Sequence, residues 1–114
     1  MSNDRLPAAV EAAALVRRAQ ADGNFAAVIK KGDPDRGAML LLVSSRGRHI
    51  ACLERTLSLS GSYSWERIGP GESASSADIR ELLARRTRFD ADFWAIELDI
   101  ADSERFIAET IAVG

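Results

Sequence analysis

Apolar residues recur with a helical spacing near the start of the chain and with a strand-like alternation after it. Residues 7–22 are rich in alanine, Pro7 suits a first helical position, and Gly23 offers a left-handed cap, so we predict a helix over this range. The predicted inward face of this helix consists of Leu6, Val10, Ala13, Ala14 and Arg17.

Four strand-like segments follow this helix. They cover 25–31, 38–45, 49–57 and 62–68, are rich in β-branched and apolar residues, and are separated by glycine-containing breaks of hairpin length. An antiparallel meander is the simplest arrangement of these strands. The segment 38–45 is apolar on both alternating sets, which predicts a central strand.

The last third of the chain predicts a helix, a strand and a helix. Ser75 with Asp78 has the spacing of a capping box, and the helix it begins should end near Arg88. Residues 92–100 are strand-like, and Asp102 should cap a final helix. The predicted buried residues are Ile79, Leu82, Leu83 and Arg86 in the first of these helices and Phe106, Ile107 and Ile111 in the last.

The predicted order is therefore α-β-β-β-β-α-β-α. Strands grouped together before the later helices favour an α+β fold, here a single domain over 1–114 with a largely antiparallel sheet of about five strands and three helices. This order argues against a doubly wound nucleotide-binding sheet.

Composition and charge narrow the classes of protein. The 114 residues are 46% hydrophobic with a net charge of -2, which is typical of a globular protein and gives no overall attraction for nucleic acid or an anionic membrane. The lone cysteine, Cys52, cannot form an internal disulfide, and the chain shows neither a signal peptide nor an apolar run long enough to span a bilayer. We therefore expect a soluble cytoplasmic protein.

The segment KKGDPDRGAML at 30–40 has the residues of a binding loop but the pattern of a turn. It lacks the alternating ligands and closing glutamate of a calcium loop, and it leads into a strand rather than the helix of a phosphate loop. Asp33 can accept backbone hydrogen bonds, Pro34 presets its own φ, and Gly32 and Gly37 tolerate unusual backbone angles, so we interpret the segment as a tight turn.

Charged residues on the predicted strands offer a candidate binding surface. Alternation places Lys30, Glu54, Arg67 and Glu97 each on a face with apolar neighbours, so the four could meet on one sheet face near Trp65 and Arg86. Such a cluster would line a pocket for a small polar ligand or form a self-association surface. Ordinary cross-strand charge pairs are the alternative interpretation.

The basic segment ARRTRFD at 84–90 could bind nucleic acid through Arg85, Arg86, Arg88 and Phe89. Arginines are also favoured in the last turn of a helix by the helix dipole, and acidic residues follow directly. The second explanation is the simpler one.

The remaining titratable residues form no catalytic set. We interpret His49 as an exposed turn residue, Cys52 as a core residue, and Asp99 as a helix cap rather than the partner of Glu97 in a carboxylate pair. The sequence thus predicts no catalytic residues, no cofactor and no metal ligands.

Several segments together resemble a known family. RLPA near 5–8, KKGDPDRGA at 30–38, ERT at 54–56, SWERIG at 64–69 and the long block at 84–110 are similar to the alphaproteobacterial family DUF1491, whose function is uncharacterised. The resemblance implies a cytoplasmic bacterial protein and no particular reaction.

These observations predict a small non-enzymatic module that binds a protein partner or forms a homodimer. A binder or enzyme for a small polar or phosphorylated metabolite, using Lys30, Arg67, Glu54 and Glu97, is the alternative. Weak nucleic-acid binding through 85–89 is the third hypothesis, and the acidic net charge disfavours it.

Overall fold

The structure, a computed structural model, describes residues 7–57, 59–72 and 74–113. Arg5 and Leu6, which belong to the first segment of the resemblance, lie outside the described residues. The elements are α1 Ala8–Ala21, β1 Phe25–Lys30, β2 Met39–Ser45, β3 Arg48–Leu57, β4 Tyr63–Ile68, α2 Ser76–Phe89, β5 Trp94–Asp99 and α3 Ser103–Val113. The predicted α+β class and the predicted order of elements are confirmed.

The strand order differs from a meander. The sheet runs β1-β5-β2-β3-β4, so β5 lies between β1 and β2, antiparallel to β1 and parallel to β2. The meander prediction is therefore wrong for β1, although β2, β3 and β4 do pair in sequence. The predicted central strand is confirmed, since Met39, Leu40, Leu41, Leu42 and Val43 of β2 are all buried.

Helices cover both faces of the sheet. α1 and α3 pack on one face, where the core includes Met39, Leu41, Val43, Ile96 and Leu98. α2 covers part of the other face through Ile79, Leu82 and Leu83, which pack against Leu40, Leu42, Cys52, Phe93 and Ala95. No β1 residue belongs to this second cluster, so the described part of α2 leaves the β1 margin of its face uncovered.

Local sequence signals predicted the helix ends correctly but predicted the wrong buried face for α1. Ser75 and Asp78 form the predicted capping box of α2, and Gly23 has a positive φ of 82° just after α1. The predicted inward face of α1 is wrong, because Val10 and Ala13 are exposed. The helix instead packs close to the sheet through small residues, namely Ala8, Ala12 and Ala19.

In α3 the predicted stripe is only partly buried. Ile107 is buried and Phe106 packs against the core, whereas Ile111 is 39% exposed.

Candidate functional site

The predicted charge cluster is divided between the two faces of the sheet. Glu54, Glu97 and Lys30 lie on the face of α2, because Glu54 is opposite Leu40, Glu97 beside Leu42 and Lys30 opposite Ala95. Arg67 is opposite Leu53, a residue of the other core, so it lies on the face of α1 and α3 together with Trp65. The expectation that all four charges share one face is wrong for Arg67.

A β-bulge explains the position of Lys30. The pairing of β1 with β5 shifts between Val28 and Lys30, which turns Lys30 away from the face of Ala26 and Val28, where alternation had placed it. Its Nζ donates to the carbonyl oxygens of Ala91 at 2.6 Å and Phe93 at 3.1 Å. The side chain therefore fastens the segment before β5 to β1.

Arg86, rather than Arg67, is the arginine that lies beside Glu54 on the face of α2. It forms an ion pair with Glu54, and its guanidinium lies 5.7 Å from the centre of the Phe93 ring, while Lys30 Nζ lies 4.5 Å from the same ring. Both members of the pair are mostly buried, with side chains 23% and 18% exposed. The pair ties α2 to β3, which is a structural function that leaves little charge free for a ligand.

The other arginines of this segment, Arg85 and Arg88, are exposed, and Phe89 is 83% exposed. Arg86 is paired with Glu54, so two of the three arginines proposed to bind nucleic acid, Arg85 and Arg88, remain for that function.

The segment at 30–40 is the turn that its sequence predicts, and it also joins three elements. Asp33 Oδ1 accepts hydrogen bonds from the backbone N–H groups of Asp35 and Arg36, which keeps the pKa of the Asp33 carboxyl below its usual value. The backbone oxygens of Pro34 and Asp35 accept from the first N–H groups of α1, and Trp94 Nε1 donates to the oxygen of Asp33 at 2.8 Å. The loop therefore caps α1 and holds the start of β5.

Two interpretations of single titratable residues change. Asp99 does not cap α3; its two carboxylate oxygens accept from the backbone N–H groups of Arg46 and Gly47, each at 2.8 Å, and so close the β2–β3 turn. His49 is half-buried rather than exposed, with Nε2 3.0 Å from the Pro70 oxygen and 3.8 Å from Cys52 Sγ.

Burial raises the pKa of the Cys52 thiol to about 11, which keeps it protonated and inert at neutral pH. In the part of the chain that the structure describes, no three His, Cys, Asp or Glu side chains lie close enough to share a metal ion. Nor does any helix within those ranges have the length and apolar character needed to span a bilayer.

A cleft of about 630 Å³ opens between α1 and α3, and sequence reasoning missed it. Its floor carries Arg55, whose guanidinium binds both carboxylate oxygens of Glu11 at 2.7 and 2.9 Å and stacks on the Tyr63 ring at 4.3 Å. The Arg55 side chain is only 9% exposed. The helix walls combine the apolar Ala14, Leu15 and Phe106 with the charged Arg18 and Glu109.

The outer edge of β1 is a second surface that the sequence did not reveal. Phe25 is 57% exposed and Ile29 is 43% exposed, and both belong to this edge strand. The opposite edge strand, β4, presents the charged side chains of Glu66 and Arg67 to solvent. Charges protect a sheet edge from pairing with another chain, so β1 is the less protected of the two edges.

Comparison with known proteins agrees with the fold described above. The model of the DUF1491 family, described as a protein of unknown function, matches residues 6–108. The chain belongs to the DUF1491 family. Two solved structures of DUF1491 family proteins from Caulobacter crescentus CB15 are similar to it.

The first of these, determined by NMR, is 31% identical, with a TM-score of 0.73 over 86% of this chain and 88% of that chain. The second, a crystal structure, is 28% identical, with a TM-score of 0.75 over 87% and 92% of the two chains. The solution structure of protein Atu0922 from A. tumefaciens is 31% identical, with a TM-score of 0.70 over 83% and 86%. No curated protein matches the chain.

Membership of DUF1491 confirms the resemblance seen in the sequence. Many of the residues that carry it have structural functions here: Gly32 and Gly37 lie against the Asp92 backbone, Trp94 binds the loop, and Arg86 pairs with Glu54. The cleft includes Arg55 and Phe106 from the segments of the resemblance, whereas Phe25 and Ile29 of the β1 edge lie outside those segments.

Proposed function

We propose that this DUF1491 protein is a non-enzymatic protein-interaction module that binds a polypeptide in extended conformation along the outer edge of β1. The observation that carries the proposal is the combination, at β1, of an outer edge that pairs with no other described strand and the exposed apolar side chains of Phe25 and Ile29. An added strand gains main-chain hydrogen bonds from the edge and buries alternate side chains against those two residues. The expected location is the cytoplasm, where the buried Cys52 stays a thiol.

Four of the candidate side chains are engaged in holding the fold together, which supports a binding function. Glu54 and Arg86 neutralise each other, Asp99 closes a turn, and Lys30 binds backbone oxygens. Their partners leave none of them free to act as an acid, a base or an anion-binding group.

A photo-crosslinking amino acid placed at position 25, in the cells that make the protein, tests this proposal. We expect covalent adducts in which mass spectrometry identifies an extended polypeptide segment joined to position 25. The same amino acid at Leu59, which is fully exposed in the turn after β3, is the matched control. Absence of adducts at position 25, or equal adducts at both positions, would contradict the proposal.

The cleft favours a second candidate function, the binding of a small amphipathic acid. Its volume lies within the range of small-molecule sites, and its lining combines apolar side chains with charged ones. Arg18 on the rim has an exposed guanidinium that forms no ion pair with the described residues, so it suits a carboxylate or phosphate on the ligand.

Replacing Ala14 by Phe would fill this cleft from α1, whereas the same change at the exposed neighbour Ala13 would not. We expect medium-chain fatty acids, used as the probe, to raise the melting temperature of the wild type and of A13F but not of A14F. Arg18→Gln should weaken the shift and Arg17→Gln should not. Equal shifts in A13F and A14F would exclude the cleft as the site.

A further inference from the structure

Five charged side chains line the cleft between α1 and α3, and three of them are paired within the protein. Glu11 and Arg55 bind each other through two hydrogen bonds, and Glu109 binds an arginine of its own helix. The other two, Arg18 and Asp22, form no ion pair with any residue that the structure describes. The cleft therefore presents one positive and one negative charge to a ligand.

The two unpaired charges lie close together on one wall. Arg18 belongs to the last turn of α1, and Asp22, four positions later, is the residue that ends the helix. Residues at this spacing have their Cβ atoms about 5–6 Å apart. A cation that precedes an acid by four positions is the less favourable order for a helical ion pair, which agrees with the absence of a bond between them. Both side chains are exposed and can bind a ligand without first breaking a contact.

Asn24 adds an oriented hydrogen-bond donor beside these charges. Its backbone N–H donates to Ala19 O at 2.9 Å, and its side-chain oxygen accepts from the N–H of Ala101 at 3.2 Å. The amide nitrogen Nδ2 has no partner within the described ranges, and the side chain lines the cleft. Because Ala101 holds the oxygen, the NH₂ group is the part of this amide that a ligand can bind.

The end of α1 favours a cation next to Asp22. The last carbonyl groups of a helix carry a partial negative charge, which attracts positive groups. α1 ends at Ala21, and the carboxylate of Asp22 adds a full negative charge directly after it. A positive group of a ligand is therefore attracted to Asp22, and a negative group to Arg18 and the amide nitrogen of Asn24.

Apolar surface lies directly beside these polar groups. Ala19 follows Arg18 in α1, Ile100 precedes Ala101, and both are buried residues of the cleft lining. Leu15 of α1 and Phe106 of α3 extend this surface along the two helix walls. In small-molecule sites of this kind, a few polar groups set the orientation of the ligand and apolar side chains cover the rest of it.

We propose that the cleft binds a small zwitterion with an apolar body, of the class of an α-amino acid with a large apolar side chain. This inference rests on the second function proposed above and names its ligand class. The ligand carboxylate binds Arg18 and Asn24, and its ammonium group binds Asp22. Its side chain lies against Leu15 and Phe106. A fatty acid makes the carboxylate and apolar contacts but lacks the contact with Asp22, so it binds as the weaker probe.

Three related probes separate the parts of this site. L-Phenylalanine carries both charges, 3-phenylpropionate lacks the ammonium group, and phenethylamine lacks the carboxylate. We expect L-phenylalanine to bind at least about tenfold more tightly than either analogue, because hydrogen bonds between charged groups are among the stronger ones. Titration of isotopically labelled full-length protein, followed by NMR, measures the three affinities. The amide signals of Leu15, Asn24 and Phe106 should shift.

Two substitutions test the charged contacts one at a time. Asp22→Asn should abolish the preference for L-phenylalanine over 3-phenylpropionate without weakening 3-phenylpropionate. Arg18→Gln should abolish the preference over phenethylamine without weakening phenethylamine. Both residues are exposed, so the variants should fold. Arg17→Gln and Glu104→Gln remove exposed charges outside the cleft and should keep both preferences.

The outcomes distinguish the ligand class from the function on which it rests. L-Phenylalanine that binds no more tightly than 3-phenylpropionate, or a preference that survives in Asp22→Asn, would overturn the zwitterion. If fatty acids still stabilised the wild type and not A14F, the amphipathic-acid function would stand and only the ligand class would be wrong. No binding of L-phenylalanine or fatty acids at millimolar concentration would overturn both.

Discussion

At the residue scale, glycines of the 30–40 loop are required because the backbone of the segment before β5 passes very close. A Cβ at Gly32 would overlap the carbonyl oxygen of Asp92, and one at Gly37 would meet the same oxygen and the Trp94 ring. From the sequence, Gly32 and Gly37 were interpreted as residues that a tight turn requires. Their actual function, close approach of a distant segment, depends on tertiary contacts that a local pattern does not contain.

Gly32→Ala should therefore destabilise the protein. The new methyl group can be accommodated only if backbone moves, and we expect a loss of about 2 kcal/mol or more in the free energy of unfolding. Gly71→Ala is the matched control, because nothing lies within 4 Å of a Cβ there. Urea unfolding of the two variants measures the difference, and similar losses would contradict the described contact.

Cys52 gives the protein a defined sensitivity to alkaline pH. Burial raises its pKa from 9.0 to about 11, so the folded state favours the neutral thiol. The resulting stability is fully present below pH 9 and is lost as the pH rises through about 11, by an amount on the order of 2–3 kcal/mol.

Cys52→Ala should show a flatter decline of unfolding free energy between pH 9 and 11 than the wild type, whatever its stability at pH 7. The native wild type should also resist thiol-labelling reagents at pH 7 until it unfolds. A rapid native reaction, or identical alkaline slopes in the two proteins, would show that this thiol is not protected by burial.

At the element scale, α1 is held on the sheet by small residues and by one ion pair rather than by large apolar side chains. Its buried residues are alanines, and Glu11 binds Arg55 of β3 through two hydrogen bonds. A helical pattern made of alanines does not distinguish its faces by size, which explains why the sequence predicted the existence of the helix but not its buried side.

Glu11→Gln should cost about 2 kcal/mol of unfolding free energy, because it leaves the mostly buried guanidinium of Arg55 without its counter-charge. Combining it with Arg55→Met should recover part of that loss, since the unpaired charge is then removed. Glu109→Gln breaks the exposed pair with Arg105 and should change stability by less than about 0.5 kcal/mol. Additive effects of the Glu11 and Arg55 changes would contradict a direct interaction.

At the scale of the whole molecule, the sequence predicted the kinds and order of elements but not how the strands meet. Each strand and cap is encoded locally, whereas placing β5 between β1 and β2 depends on contacts between segments more than fifty residues apart. The same limit affects the site: the bulge at Lys30 and the register of β4 set the faces of Lys30 and Arg67, and neither is visible in a period-two pattern.

The uncovered β1 edge is a property of this strand order. Phe25 and Ile29 are apolar residues of an ordinary-looking strand, and they are exposed in a strand that lies at the edge of the sheet. An interaction surface of this kind results from topology, which is why sequence reasoning proposed a charged surface at Lys30, Glu54, Arg67 and Glu97 instead.

Hydrogen exchange at the free edge is the most direct test that β1 accepts a polypeptide. Isotopically labelled protein would be measured first alone at low concentration and then in an extract of its own cells. The account predicts that the amide of Val28 in β1 exchanges freely in the first sample and becomes protected in the second, while the amides on the outer edge of β4 do not change. Equally fast exchange of Val28 in both samples would show that nothing pairs with β1.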